Sequence, residues 1–181
     1  MRSLVQIAQG EVGVREEGGN NCGPRVREYQ AATWLTVASW AWCAVFTAWC
    51  LRDWLKQPEV TQMIKDTVGG PNFNLEKWRC RDAAVFGWDD WAIRTGGKVL
   101  DPTKHLAEAG DFVIFDFNGP ETGGGHIGIV EVNQKPHESV IYTIEGNTNG
   151  KGERDSISGD GVWRKTRKTT LVKHYIRMAI K

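Results

Sequence analysis

The sequence predicts an α+β domain with helices first and antiparallel strands afterwards. Two observations predict this class. Apolar residues recur at helical spacing in the first part of the chain, and after Gly110 they follow the two-residue period of strands. A length of 181 residues fits one domain with a complete core. We therefore expect residues 1–181 to form a single domain with one active site.

The helical segments are recognised by their buried faces and by the residues at their ends. Pro24 stands where a helix can begin, because proline is favoured in the first helical turn. Apolar residues occupy almost every side of the segment Trp42–Leu55, which predicts a central buried helix. The segment 56–82 is less regular and is expected to contain a loop. The predicted helices are Leu4–Val12, the segment from Pro24, Trp42–Leu55 and Ala83–Arg94.

The strands are predicted from short runs of apolar and β-branched residues after Gly110. They cover Phe112–Phe117, Ile127–Val132, Val140–Ile144 and Leu171–Ile176. The polar segment Asn133–Ser139 separates the second and third of these strands and contains Pro136. This segment predicts a hairpin.

Composition and charge exclude several classes of function. Hydrophobic residues make up 40% and charged residues 25% of the chain, as in ordinary globular proteins. The formal net charge of +1 gives no general attraction to nucleic acid or to an anionic membrane. Neither a signal peptide nor an apolar run of about 20 residues is visible. We expect a soluble monomer that is made in the cytoplasm.

The four cysteines, at positions 22, 43, 50 and 80, have neither the spacing of a zinc site nor the density of a disulfide scaffold. Cys43 and Cys50 are too far apart to bridge if they share a helix. Cys50 is interpreted as a small core residue. A bridge between Cys22 and Cys80 stays open, although a cytoplasmic origin favours free thiols.

Cys43 and His126 stand out as a candidate nucleophile and base. Cys43 lies at the start of the predicted central helix, where first-turn amides and the helix dipole lower a thiol's pKa. His126 follows three glycines, Gly123 to Gly125, at the start of a strand. Glycines there let a substrate backbone approach closely. The alternatives are a core cysteine and an edge-strand histidine, but together the two residues favour acyl transfer.

The hairpin suggests a third member of the site. A turn centred between Lys135 and Pro136 would place Glu145 directly opposite His126. Asn147 would then be the diagonal neighbour on the same face. Either side chain could orient the imidazole, and a register shift of one residue would put Glu145 on the other face.

With these residues and their order along the chain, the sequence resembles the CHAP amidase/peptidase family of the papain-like superfamily. The resemblance spans residues 42–147 and rests on four motifs, Trp42-Cys43-Ala44, Gly110–Phe115, Gly125–Val130 and Ile144-Glu145-Gly146-Asn147. It implies a papain-like fold and a peptidoglycan hydrolase that cuts amide or peptide bonds with Cys43, His126, and Glu145 or Asn147 as catalytic residues. The implied setting is a phage lysin that acts in the periplasm or cell wall after release or delivery. A secreted antibacterial effector, with an immunity protein as partner, or an inert wall-binding domain on the same fold are the alternatives.

Some CHAP domains bind calcium through an acidic loop before the cysteine. The corresponding Glu16–Asn21 segment has no alternating aspartates, so we expect neither a metal nor another cofactor.

Aromatic and basic residues supply the remaining candidates for substrate binding. Among the nine tryptophans, Trp40, Trp42 and Trp163 are the candidates to contact sugar or peptide, whereas most of the others are expected in the core. A basic run could face the anionic wall or form a solvated strand; it comprises Arg164, Lys165, Arg167, Lys168 and Lys173.

Overall fold

The computed structural model describes residues 1–70, 73–117, 125–150 and 160–180. The helices are α1 (Leu4–Gly10), α2 (Pro24–Gln30), α3 (Cys43–Leu55), α4 (Pro58–Ile64), α5 (Leu75–Trp78) and α6 (Gly87–Arg94), with a π-helical turn at Lys65–Gly69. The strands are β1 (Lys98–Leu100), β2 (Phe112–Phe115), β3 (His126–Val130), β4 (Val140–Thr148), β5 (Gly161–Lys168) and β6 (Val172–Arg177). The α+β prediction is confirmed.

The strands form an antiparallel sheet in the order β1-β6-β2-β3-β4-β5. Helix α3 packs against β3 and β4, and the larger apolar core lies between the helices and this face of the sheet. A smaller apolar cluster covers the other face around Val113, Phe115 and Tyr175. The sheet is therefore buried on both faces near its centre, and the first turn of α3 lies against the β3 and β4 strands.

The first three helices lie in the predicted segments, and the residues at their N-terminal ends explain where each one begins. Ser3 and Gln6 form a capping box at the start of α1. Pro24 is the first residue of α2, where its missing N–H costs nothing. Helix α3 begins one residue later than predicted because Trp42 is its N-cap, and it is buried on almost every side.

The region between α3 and β1 was predicted less well. The segment expected to be irregular contains α4, which begins at Pro58, and the short helix α5. The helix expected from Ala83 begins only at Gly87. Before it, the Asp82 carboxylate accepts the Ala84 N–H and the Ala84 carbonyl accepts the Gly87 N–H, so a turn replaces the first helical turn.

The strand prediction missed β1 and β5 and ended β4 too early. Strand β5 escaped detection because basic residues occupy positions on both of its faces, which hides the alternation of apolar and polar residues. Strand β4 continues through Glu145 to Thr148 because these polar side chains are buried in the sheet.

The predicted register of the β3–β4 hairpin was wrong by two residues. Ile129 pairs with Ile144 and Val130 with Thr143, so the turn is centred between Pro136 and His137. The Glu138 N–H donates to the Lys135 carbonyl at 3.1 Å, which makes Pro136 the second residue of a β-turn, the position that proline favours. Extending this register places Asn147, and not Glu145, opposite His126. A shift of two keeps Glu145 on the same face.

All four cysteines are free thiols, and Cys50 is fully buried in the core. Among the described residues, no helix has the length and apolar character needed to cross a membrane.

Candidate active site

Cys43 is the first residue of α3 and lies where the helix meets the start of β3. It is 8% exposed. Burial disfavours its thiolate, but the hydrogen bond and charge of His126 and the backbone N–H groups of Ile127 and Ala44 outweigh that cost. The pKa of Cys43 is therefore lowered from its usual value. The site stabilises a thiolate inside a largely apolar environment.

His126 opens β3 and is 1% exposed. Its Nε2 lies 2.9 Å from Oε2 of Glu145, which leaves the other ring nitrogen for Cys43. The rings of Phe115 and Phe117 flank the imidazole at centroid distances of 6.0 and 5.9 Å. Burial opposes the imidazolium, but contacts with Cys43 and then Glu145 raise the pKa of His126 to about 9. Of the three glycines before it, Gly123 and Gly124 lie outside the described residues.

Glu145 is fully buried and lies between His126 and Arg167. Thr143 Oγ1 donates to Oε1 at 2.5 Å, and the Arg167 guanidinium donates to both oxygens, with Nη2 to Oε2 at 2.5 Å and Nε to Oε1 at 3.0 Å. Burial raises the pKa of this carboxyl, but the His126 and Arg167 contacts dominate and bring it to about 2. Glu145 is therefore a carboxylate at neutral pH.

A glycine allows Glu145 to reach His126 despite the shifted register. A Cβ atom built on Gly128 would lie 2.7 Å from Cγ of Glu145. The side chain therefore passes over Gly128 to its diagonal neighbour His126, a path that any larger residue at position 128 would block. This glycine is the local reason why Glu145 contacts His126 although the predicted register was wrong.

Arg167 is the functional candidate that sequence reasoning missed. The basic run was considered only as a solvated strand or a surface for the wall, but Arg167 and Lys165 are buried and Arg164 and Lys168 are exposed. The Arg167 guanidinium also lies 5.0 Å from the ring centroid of Phe117. No short-range signal distinguished Arg167, because basic residues occur on both faces of β5 and its position in the sheet decides which of them are buried.

Asn147 is buried at the end of β4 in a left-handed conformation, with φ of 56°. Among the described residues, its Oδ1 has no hydrogen-bond partner. Although the register places it opposite His126, the carboxylate that contacts the imidazole is Glu145. The structure thus brings Cys43, His126 and Glu145 together and leaves Asn147 beside them.

The three predicted tryptophans have different surroundings. Trp40 is 38% exposed and lies three residues before Cys43. Trp42 is fully buried and its Nε1 donates to Glu16, so the structure does not support the expectation that it contacts substrate. One face of Trp163 is covered by the Arg15 guanidinium, 3.7 Å from the ring centroid. Trp40 is the one of the three with a substantial open surface.

The Glu16–Asn21 loop serves as a support for α3. The same oxygen of Glu16, Oε1, accepts the Trp42 indole N–H at 2.8 Å and the Asn21 backbone N–H at 2.9 Å. Over the described ranges, no three His, Cys, Asp or Glu side chains come together as a possible metal site.

Comparison with known proteins places these residues in a family. The solved structure of a wild-type endolysin, LysIME-EF1, is 19% identical, with a TM-score of 0.37 over 48% of this chain and 38% of the endolysin chain. No curated protein matches the chain. The sequence profile of the CHAP domain matches residues 33–147, more than half of the chain, and this range contains Cys43, His126 and Glu145. The chain therefore belongs to the CHAP domain family.

Proposed function

We propose that this protein hydrolyses amide or peptide bonds of bacterial peptidoglycan through a thioester on Cys43. The observation that carries the proposal is the buried chain of contacts from Cys43 through His126 to Glu145 at the N-terminus of α3. A cysteine with a lowered pKa, a histidine with a raised pKa and an ionised orienting group form the set needed for covalent acyl transfer.

The reaction begins from the Cys43 thiolate and the His126 imidazolium. The sulfur attacks the scissile carbonyl carbon, and the oxyanion accepts a hydrogen bond from the Cys43 backbone N–H in the first turn of α3. His126 gives its proton to the leaving amine, and the carbon–nitrogen bond breaks. The neutral imidazole then removes a proton from water, whose oxygen attacks the thioester carbon. The carbon–sulfur bond breaks, which regenerates the Cys43 thiolate and the His126 imidazolium and releases a carboxylic acid that ionises in solution.

Glu145 keeps the imidazole in the orientation that this sequence of proton transfers needs. As a carboxylate it accepts the Nε2–H of His126, so the opposite nitrogen exchanges the proton with sulfur, amine and water. Arg167 and Thr143 hold the carboxylate from its other sides. We propose Arg167 as a positioning residue, because it contacts Glu145 and acts on the reaction through it.

In its biological setting, we propose a lysin-like enzyme that acts on the cell wall as a single domain over residues 1–181 and as a monomer. Trp40 is the proposed aromatic contact for sugar or peptide. A secreted effector would use the same chemistry and differ by an immunity partner.

The ion pair between the Cys43 thiolate and the His126 imidazolium predicts that the rate of hydrolysis is limited at both low and high pH. The thiolate exists above the lowered pKa of Cys43, and the imidazolium that protonates the amine is lost as the pH rises through about 9. We expect hydrolysis to fall above about pH 9 and alkylation of Cys43 by iodoacetamide to have its midpoint below the ordinary value of about 8.5 for a cysteine. Rates of fragment release and alkylation between pH 4 and 11 measure both. An alkylation midpoint at or above 8.5 would contradict the ion pair.

Activity is expected to survive chelation. The Glu16 carboxylate already accepts hydrogen bonds from Trp42 and Asn21, and the loop lacks the oxygen spacing of a calcium site. Hydrolysis after dialysis against EDTA should remain within about twofold of the untreated rate. Loss of activity that calcium alone restores would overturn this expectation but leave the Cys43 assignment in place.

The proposed function is tested by digesting purified peptidoglycan and identifying the new ends by mass spectrometry. New amino and carboxyl ends in equal amounts, without reducing sugar ends, are expected from amide cleavage. An inert wall-binding domain would instead bind the wall, release no fragments, and behave identically after Cys43→Ala.

A further inference from the structure

Lys165 is a buried lysine of β5 that the proposed mechanism does not use. It lies two residues before Arg167, on the same face of the strand, and is 8% exposed. Its Nζ donates to the Asn149 carbonyl at 2.6 Å. Among the described residues, this carbonyl is its one hydrogen-bond acceptor and no carboxylate lies within ion-pairing distance of Nζ. Since an ammonium group has three N–H donors, Lys165 keeps donors for which the described chain supplies no acceptor.

The charges around Lys165 do not compensate its own. Burial lowers the pKa of Lys165 and the positive charge of Arg167 lowers it further, whereas the Glu145 carboxylate acts in the opposite direction. That carboxylate is already in contact with Arg167 and His126. A cation that is removed from water without a bound counter-charge costs folding free energy. An anion at Nζ would offset this cost and raise the pKa of Lys165 again.

The ammonium group of Lys165 lies at the edge of the sheet that carries the proposed catalytic pair. Strands β3 and β4 are antiparallel, so the end of β4 and the start of β3 at His126 share one edge. Asn149 directly follows β4 and holds Nζ at this edge. Four residues separate Glu145 from Asn149, which is at most about 13 Å of extended chain. A short peptide bound at Cys43 can therefore reach Lys165 with one of its neighbouring groups.

The chemistry of a buried ammonium selects the kind of group that it binds. A neutral carbonyl or hydroxyl would complete the hydrogen bonds of Nζ but would leave its charge uncompensated. A carboxylate accepts N–H groups and supplies the missing negative charge, and such charge-assisted hydrogen bonds are the stronger kind. The stem peptides of peptidoglycan carry carboxylates close to the amide bonds that the proposed reaction cuts.

We propose that Lys165 binds a carboxylate of the stem peptide and determines specificity for stems in which this carboxylate is free. The proposal rests on the proposed function and deepens it, because it names a substrate group that the enzyme recognises beside the scissile bond. Lys165 and Arg167 then have different roles on one strand: Arg167 holds the Glu145 carboxylate of the enzyme, and Lys165 holds a carboxylate of the substrate.

Binding to the Cys43→Ala protein tests the site without requiring hydrolysis. Calorimetry compares a muropeptide with free stem carboxylates with the same muropeptide after amidation, one carboxylate at a time, so that the recognised group is identified. We expect amidation of one carboxylate to weaken binding by at least about tenfold, as for the loss of a hydrogen bond to a charged group. Binding that no amidation weakens, or no binding of either muropeptide, would overturn the proposal.

Two lysine variants on the same strand separate recognition from a structural role. Lys165→Met keeps the length of the side chain and removes its charge, and it should reduce the preference for the free carboxylate to within about twofold while binding the amidated muropeptide as before. Lys168→Met removes the same charge from an exposed position on the other face of β5 and should leave the preference unchanged. A lysine that only ties β5 to Asn149 would change the binding of both muropeptides equally. A preference that persists in Lys165→Met would contradict the site.

Hydrolysis by the wild type distinguishes failure of this proposal from failure of the proposed function. We expect kcat/KM to be at least about tenfold higher for the stem with the free carboxylate. Selective binding without release of fragments would contradict the hydrolase and leave the carboxylate site standing. Hydrolysis of the free and amidated stems at equal kcat/KM would contradict the carboxylate site alone.

Discussion

Cys43→Ala is expected to reduce hydrolysis of purified peptidoglycan by at least about 10⁴-fold, because the proposed thioester forms on the Cys43 sulfur. The fold should survive, since alanine fits the first turn of a helix and the thiol is a small part of the buried surface. The measurement is the rate of fragment release together with thermal unfolding of both proteins.

Two other cysteines provide matched controls. Cys43 is the cysteine that contacts His126. Cys22→Ala and Cys50→Ala remove other thiols, so both variants should retain most of the activity. Cys50 is in the core, and any loss in that variant should appear as lower thermal stability. An inactive Cys22→Ala beside an active Cys43→Ala would show that the nucleophile is misassigned.

Glu145→Gln is expected to slow hydrolysis about 10- to 100-fold by two routes. The neutral amide removes the charge that helps to hold the pKa of His126 near 9, so the pKa of His126 falls and that of the Cys43 thiol rises. The amide can also present its NH₂ group to Nε2 and misorient the ring. Steady-state rates and the pH dependence of Cys43 alkylation measure these effects.

Stability must be followed in the same variant. Glu145→Gln removes a buried carboxylate that contacts Arg167, and loss of one partner of such a pair typically costs about 3 kcal/mol or more of unfolding free energy. Rates are therefore compared at a temperature where both proteins are folded. Arg167→Met removes a cation that helps to hold the pKa of Glu145 near 2, so the carboxylate becomes easier to protonate and the acid limb of the rate profile should move to higher pH, which a purely structural arginine would leave unchanged.

Asn147→Ala is the comparison that identifies the orienting residue. Asn147 is also buried and lies two residues after Glu145 on the same strand, but it has no described contact with the imidazole. It should cost less activity than Glu145→Gln and should not move the alkylation midpoint. A greater loss in Asn147→Ala, with an unshifted thiol titration in Glu145→Gln, would show that the amide orients His126.

The sequence predicted what short-range patterns determine. The all-round apolar character of Trp42–Leu55 predicted α3, and the proline at position 24 predicted the start of α2. Cys43 at a helix start and His126 at a strand start followed from the boundaries of these elements. The predicted register was wrong by two residues, because the turn centre was off by one position. An even shift keeps every side chain on its face of the sheet, so Glu145 was still predicted on the correct face.

The parts that could not be predicted depend on contacts between distant residues. Arg167 lies 22 positions after Glu145, and its role becomes visible only when β5 is paired with β4. Trp42 is buried because its ring packs against Tyr29 and Gly146, which lie far from it in the chain. The path of the Glu145 side chain over Gly128 could not be predicted without the observed register, because a single glycine in a strand does not indicate which residue lies across from it.

The central claim is that Cys43 carries the acyl group of the substrate. It is tested most directly by mixing the enzyme with soluble muropeptide, quenching with acid during turnover, and mapping the digested protein by mass spectrometry. We predict an added acyl mass on the peptide containing Cys43, removable by hydroxylamine as a thioester is, and absent from the Cys43→Ala protein. Continued hydrolysis by an enzyme whose Cys43 is fully alkylated, with no acyl adduct on that residue at any time of quenching, would contradict the account.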